Sequence, residues 1–525
     1  MKRPFRTILN LTRLEDRTVP ATATYSAGTL TITAATGDII RIDPVLTTSI
    51  PGYDRVTVGP TVIFDSGNSQ PVRNLVVRGN AAENYTFLFG LGISLNNVSM
   101  TGAAGPATAF VFSLVVLGTD TRISGNFTFT GNAARGDDAI FLAGLAGFGG
   151  TATIGGNVSV NFQAGNDLLD IAGGSIGGNL SVIGGAGNDT FNVVSDSSLS
   201  VGGNVNVNLG NGDNRVGGVA AHSFSIGRNF NLAMGTGDDR VDYRLSPLRV
   251  GGSISANLGP SPNVVFLGAE TWQSGDLFVG GNFTGLGGVD YELLGPNFIG
   301  GNVSINEGPG INAFQIGQSN IPLANTAASF VGGNITYTGG TGDDVVSLDH
   351  LRVGRNVNLN LGAKNFAQNV AIGQTQIDPV QIAGSLTIRG DVATTNITRT
   401  RVGGTFGLFT AASADVVFID DSDLEGAATI DLGGGPDTLS IDTQVNDGFL
   451  GVPLARPVRF QSSLTVYGRD GADIVNLGFG GTGVDFGAPV RLFGGSDNDT
   501  LFLNAFNVYL QARQEDFELG VNFPP

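Results

Sequence analysis

The residues best equipped for chemistry in this chain are aspartates that recur in one kind of glycine-rich turn. It reads Arg135-Gly136-Asp137-Asp138, Gly165-Asn166-Asp167, Gly185-Ala186-Gly187-Asn188-Asp189, Gly210-Asn211-Gly212-Asp213-Asn214 and Gly235-Thr236-Gly237-Asp238-Asp239. It returns as Gly340-Thr341-Gly342-Asp343-Asp344, Gly471-Ala472-Asp473 and Asp497-Asn498-Asp499. Carboxylates at a repeating spacing are hard oxygen donors, and Ca2+ takes six to eight such oxygens at about 2.4 Å. Gly165, Gly187, Gly212 and Gly237 lie 22, 25 and 25 residues apart. If each interval is one coil of a stack, the turns lie above one another, and Asp167, Asp189, Asp239, Asp344 and Asp473 are the candidate metal ligands, helped by backbone carbonyls. Asn214 interrupts the run, with Asp213 beside it keeping a charge on that rung. A plainer account uses the same residues. Glycine supplies the positive φ of a tight turn, Asp or Asn caps it by bonding nearby N–H groups, and duplication repeats the turn. Carboxylates stacked about 5 Å apart would repel, which gives a cation a reason to be there. Both accounts stand on the sequence.

Other site chemistries are poorly supplied. Two His and no Cys remove most zinc, haem and thiol chemistry. The net charge of −18 argues against a nucleic-acid partner, which needs clustered Lys and Arg. Acidic pairs of the kind a glycosidase uses exist at Asp238-Asp239, Asp343-Asp344 and Asp420-Asp421, but the first two fall on the repeating turn. His222 and His350 belong to different coils and read as surface residues at coil corners. Arg215 and Arg240 follow the turn and alternate with apolar residues, as solvated strand positions do. The expectation is a protein without catalytic residues. The alternatives are a polysaccharide-acting β-helix enzyme, lyase or hydrolase, and a carbohydrate-binding surface protein. For the latter, Trp272 in GAETWQSGD is the candidate platform, because most of the 33 Phe take alternating, inward positions.

The elements that must position these turns follow from the repeat. The phrase VGGN or IGGN begins at Ile154, Ile176, Val201, Val279, Ile299 and Val331, with close variants at Ile123, Ile226, Val250, Val353, Ile382 and Val402. Eleven steps over the 279 residues from Ile123 to Val402 average about 25 residues, the period of a stacked array whose units bury their faces only against neighbours. Inside a unit the period is two, as in Asn204-Val205-Asn206-Val207-Asn208-Leu209, the pattern of a strand with one face buried. Three short strands and three turns per coil of about 25 residues describe an all-β parallel β-solenoid, or β-helix. No window reads as an amphipathic helix. About fifteen coils at 4.8 Å would make a rod on the order of 70 Å long. The asparagines that follow the glycine pair are expected to form an amide ladder from coil to coil; their N-x-Ser/Thr spacing is the strand alternation itself. Residues 22–122 read as irregular opening coils and a cap, 123–425 as the regular solenoid, 426–503 as C-terminal coils with the same Gly-Asp turns, and 504–525 as a closing cap or tail.

Two resemblances add to this reading. Gly184 to Asn192 (GGAGNDTFN) and Gly339 to Ser347 (GGTGDDVVS) resemble the GGxGxDxUx nonapeptide of RTX calcium-binding β-rolls, which implies Ca2+ held in turns by Asp carboxylates and carbonyls. Those nonapeptides run in tandem, whereas the two matches here lie 155 residues apart. Leu14-Glu15-Asp16-Arg17-Thr18-Val19-Pro20-Ala21 resembles the LExRxxPA-type segment near the start of large exported proteins of planctomycete bacteria. It implies that residues 1–21 are export-associated and that the protein works outside the cell or on its surface. The apolar stretch from Ala107 to Gly118 is twelve residues long; a bilayer helix needs about twenty, so no transmembrane span is expected. These features predict a structural or adhesive solenoid, stiffened by Ca2+ if the turns bind it. Its expected partners are the cell envelope, a matrix polysaccharide or further copies of itself.

Overall fold

A computed structural model shows an all-β molecule in which the chain winds through three parallel sheets, one strand of each per coil. The structure describes residues 21–35, 38–44, 54–58, 60–65, 72–79, 85–89, 93–102, 113–116, 121–131, 136–142, 152–193, 198–218, 223–244, 247–260, 262–268, 277–288, 290–317, 328–363, 368–374, 379–442, 456–478, 483–503 and 512–515. The export-type segment, His222, Trp272, the insertion at 318–327 and most of the C-terminal tail lie outside them.

One coil shows how the period-two pattern becomes structure. Leu199–Val201, Val205–Asn211 and Arg215–Gly218 are its strands. Leu199, Val201, Val205, Val207, Leu209 and Val216 are buried, while Ser200, Asn206, Asn208 and Arg215 face out. We name the sheets after these strands: sheet III holds the short strand before the glycine pair, sheet I the strand after it, and sheet II the strand after the Gly-Asp turn. Among the described residues sheets I and II have 20 strands each and sheet III has 16. At about 4.8 Å per strand, sheet III alone runs on the order of 70 Å.

Stacking is in register, so like sits on like. Ile154, Ile176, Val201, Ile226, Val250, Val279 and Ile299 are successive cross-strand partners in sheet III, and all are buried. These are the residues on which the sequence repeat is anchored. Burying each contributes roughly 1.5–3 kcal/mol relative to exposure. Larger rings also fill the core: Phe224, Phe230 and Tyr243 pack with centroids 5.9–6.2 Å apart.

The expected amide ladder is present. The side-chain oxygen of each asparagine after the glycine pair accepts the backbone N–H of its counterpart in the next coil. The chain of bonds runs from Asn97 through Asn126, Asn157, Asn179, Asn204 and Asn229 to Ser253, at 2.8–3.1 Å. Ser253 continues it through its hydroxyl to Asn282, and Asn302, Asn334, Asn356, Ser385 and Thr405 complete it. A Cβ on Gly178 would overlap the Asn157 amide oxygen and the Gly156 carbonyl, which is why a glycine precedes the ladder residue.

The N-terminal end departs from the parallel pattern. Thr22–Ser26 pairs antiparallel with Thr29–Thr33, and Asp38–Pro44, Asp54–Val58 and Thr61–Asp65 form an antiparallel meander on sheet II. Of the apolar stretch 107–118, the described part is the strand Ser113–Val116, held between Tyr85–Phe89 and Ala139–Leu142. Among the described residues no helix is long and apolar enough to cross a membrane.

Candidate functional site

In most described coils the residue at the start of the sheet II strand is polar, faces inward and stacks coil upon coil; Ala393 takes the place between Gln368 and Asp415. Leu168, Thr190, Arg215, Arg240 and Val264 are cross-strand partners, so Asp167, Asp189, Asn214, Asp239 and Asn263 form a column one step before them. Asn312, Asp344 and Gln368 belong to it higher up, followed by Asp415, Asp437, Asp473 and Asp499, with Asp138 at the N-terminal side. All are at most 5% exposed. The inward direction follows from strand alternation: Asp167 is in phase with buried Leu169 and Ile171, Asp189 with Phe191 and Val193, and Asp344 with Val346 and Leu348.

Through two runs of coils the inner side chain closes the turn of the coil before it, whereas Asp344 Oδ1 accepts from the Asn312 side chain. Asp138 N–H donates to Asp167 Oδ1 (2.6 Å), Asp167 N–H to Asp189 Oδ1 (2.9 Å), and Asp189 N–H to Asn214 Oδ1 (2.9 Å). The series goes on from Asn214 to Asp239 and from Asp239 to Asn263. It recurs from Asp415 through Asp437 and Asp473 to Asp499 at 2.8–2.9 Å. Its sense is opposite to that of the asparagine ladder, since here the later coil supplies the side-chain oxygen. A second, outer column on the same turn runs with the asparagine sense. Asn166 N–H bonds Asp137 Oδ1, Asn188 bonds Asn166, Asp213 bonds Asn188 and Asp238 bonds Asp213, at 2.7–3.0 Å.

The five candidate ligands share one further feature. Among the described residues Oδ2 of Asp167, Asp189, Asp239, Asp344 and Asp473 is buried and has no hydrogen-bond partner, with the Tyr337 hydroxyl near enough to the Asp344 carboxyl to favour its charged form. For Asp189, Asp344 and Asp473 that oxygen lies where a Cβ on Gly184, Gly339 or Gly468 would sit. The opening glycine of the GGxGxD phrase therefore makes room for a carboxyl oxygen. Burial pushes the carboxyls up, to about 9 for Asp167 and about 6 for Asp189, Asp239, Asp344 and Asp473.

The amide coils show what this position demands. Asn214 Nδ2 donates to the carbonyls of Gly210 and Gly212 (3.2 and 2.9 Å), and Asn312 Nδ2 donates to Gly308 O (3.0 Å). Gln368 Nε2 likewise reaches Leu361 O and Gly342 O (2.8 and 3.0 Å). A donor sits there in every described amide coil, facing carbonyl oxygens; Asn263 makes the same bond to Leu258 O.

Of the expected ligands, Asp167 and Asp189 occupy adjacent coils, with Asn214 between Asp189 and Asp239. Asp344 lies four coils beyond Asp239, and Asp473 five coils beyond Asp344. Among the described residues no three His, Cys, Asp or Glu side chains converge as a metal-holding group. Asp213 does not keep a charge on the inner rung, because it is exposed in the outer column while Asn214 is fully buried. His350 is not a surface residue but is 4% exposed, at a corner with φ of 45°. Asp138, Asp415, Asp437 and Asp499 belong to the same column although the turn motif alone did not single them out as ligands; their phase with the following apolar residues identifies them. Outside the column Asp349, Asp420, Asp442 and Glu307 are also buried; Glu307 holds the Tyr337 hydroxyl at 2.5 Å and is pushed up to about 8 by burial. Comparison of the chain with known protein families, curated proteins and solved structures finds no match.

Proposed function

We propose that this chain is a non-catalytic structural or adhesive rod that works outside the cell or at its surface. The observation that carries the reading is the use made of its carboxyl groups: those of the inner column are enclosed and join neighbouring coils, where no substrate in solution meets them, and outer ones such as Asp137 and Asp213 accept a backbone N–H of the next coil. The export-type N-terminal segment supports the location. Incubating the purified protein with uronate and neutral polysaccharides, and following chain length and unsaturated-uronate absorbance, tests the reading. No product is expected, and cleavage of any of them would replace the rod with the enzyme alternative.

The partnerless Oδ2 atoms bear on calcium. They need either a cation or a proton, and the amide coils, which place a hydrogen-bond donor at the same spot, support the proton. On this reading an Asp carboxyl acts as an asparagine look-alike, donating to turn carbonyls. A Ca2+ ion would instead have to enter at Oδ2 of Asp167 and Asp189 together with those carbonyls. Melting the protein in millimolar Ca2+, in Mg2+ and in EDTA distinguishes the two. Binding at a hundred times the dissociation constant adds about 2.7 kcal/mol; the expected result is an unchanged melt, and a Ca2+-specific rise would establish the metal.

A further inference from the structure

The outward-facing centre of sheet III is one residue per coil, and for several coils it is small and polar: Thr153, Ser175, Ser200 and Ser225 are successive partners. Then the repeat is broken. Arg249, Phe278, Phe298, Phe330, Arg352, Gln381 and Arg401 follow in a single line along the rod. The three rings stack at 5.0 and 5.4 Å between centroids, and the Arg249 guanidinium lies 5.9 Å from the centroid of the first ring. Phe298 and Phe330 are 41% and 37% exposed. They correct the expectation that Trp272 is the one aromatic candidate: the signal was a Phe at the middle position of LFV, NFI and SFV, where neighbouring coils carry Ser or Arg.

Beyond Phe330 the face opens into a groove of about 450 Å3 whose walls include Phe330, Arg352, Gln381, Arg401 and Glu425. Arg401 is held by Glu425 through Nε at 2.6 Å. Arg352 is exposed and has no ion-pair or ring partner among the described residues. The charge of this face is unlike that of the whole. In a chain of net charge −18, the sheet III strands from Ser94 to Val402 contain Arg122, Arg249, Arg352 and Arg401 and no Asp or Glu; acids enter the line one coil later, at Asp423 beside Arg401, with Glu425 in the groove wall.

We propose that this groove binds an acidic polysaccharide, a chain of sugars carrying carboxylates. A guanidinium grips a carboxylate through two parallel N–H bonds, and the Phe330 ring offers an apolar surface for the C–H face of a sugar. Arg352 stands two coils, about 9.6 Å, from Arg401 and in line with the rod; Arg352 is the open guanidinium, while Nε and Nη2 of Arg401 already serve Glu425, so a linear polyanion running along the axis is gripped at Arg352. This inference rests on the rod reading in one respect: the glycan is held and not cut.

The test is calorimetric titration of the full-length protein with oligogalacturonate, with its methyl ester, which lacks the charge, and with polyglutamate. Arg352→Ala and Phe330→Ala change exposed side chains; Arg228→Ala, an exposed arginine five coils from Arg352, serves as the control. Oligogalacturonate is expected to bind roughly tenfold more weakly to Arg352→Ala and several-fold more weakly to Phe330→Ala, with Arg228→Ala unchanged and the methyl ester weaker than the acid. Failure of the native protein to bind, undiminished binding by Arg352→Ala, or an equal loss in Arg228→Ala would each overturn the proposal. Polyglutamate bound as tightly as the sugar acid would overturn it in favour of an acidic protein partner. The length of the recovered oligomer reports separately on the rod reading, since shortening defeats that reading whatever the affinities.

Discussion

Asp189 and Asn214 occupy equivalent places in adjacent coils, and both offer Oδ1 to a backbone N–H of the coil before. They differ at the second atom, where Asn214 donates to two carbonyls and Asp189 Oδ2 has no partner. Leaving a buried polar atom unsatisfied costs about 1–3 kcal/mol. Asp189→Asn is therefore expected to stabilise the protein at pH 8, by on the order of 1 kcal/mol, in chemical denaturation. Were Ca2+ the partner, the same change would destabilise it in Ca2+-containing buffer. The aspartates were legible in the sequence as a turn motif, but the motif left their direction open. Direction was written in a different signal, the alternation Asp189, Phe191, Val193, which places the acid on the buried side. That signal was masked because Gly-Asp turns usually face water, where Asp213 and Asp238 do stand.

At the scale of the coil, two kinds of corner do the joining. Asn179 Oδ1 accepts the Asn204 N–H at 2.8 Å, and Asn179→Ala should cost about 1 kcal/mol. Asn179→Ser should cost less, since Ser253 and Ser385 already perform the task through a hydroxyl. Glycines divide sharply by position. Gly187 has φ of 140° and a Cβ there would overlap the Gly165 carbonyl oxygen, whereas a Cβ on Gly308 would meet nothing within 4 Å. Gly187→Ala is expected to destabilise by about 2–4 kcal/mol and Gly308→Ala to change stability by less than about 1 kcal/mol; urea midpoints of the two variants check the contrast. The coil itself was readable because its period, its glycine pair and its asparagine all reflect one constraint, close in-register stacking. The outward phenylalanines were not, because alternation marks which face a residue takes only when that face is uniformly polar.

For the molecule as a whole, the inner column sets the response to pH. Its carboxyls titrate higher in the folded chain than in the unfolded one, whose aspartates ionise near 3.9. The folded state therefore binds more protons between these values, and stability falls as pH rises. The contribution is complete below about pH 4, declines through about 6 as Asp189, Asp239, Asp344 and Asp473 ionise, and continues to about 9 for Asp167. Asp242 and Asp431 pull the other way below the usual carboxylate range, because arginines hold their charged forms. The melting temperature is expected to be higher at pH 5 than at pH 8, with the difference reduced in Asp167→Asn. A flat profile would show that the enclosed carboxyls are compensated in some other way.

The opposed senses of the two ladders carry a consequence for the ends of the rod. A coil between Asn157 and Asn229 shows its later neighbour a free asparagine oxygen at one corner and a free aspartate N–H at the other. To its earlier neighbour it shows the reverse pair, an N–H and a carboxyl oxygen. Severed between such coils, the two cut faces would be complementary plug and socket, and copies of the chain would join head to tail into open filaments. At the N-terminal end the antiparallel strands Thr22–Ser26 and Asp54–Val58 run against the stack, so the surface they form does not repeat that socket.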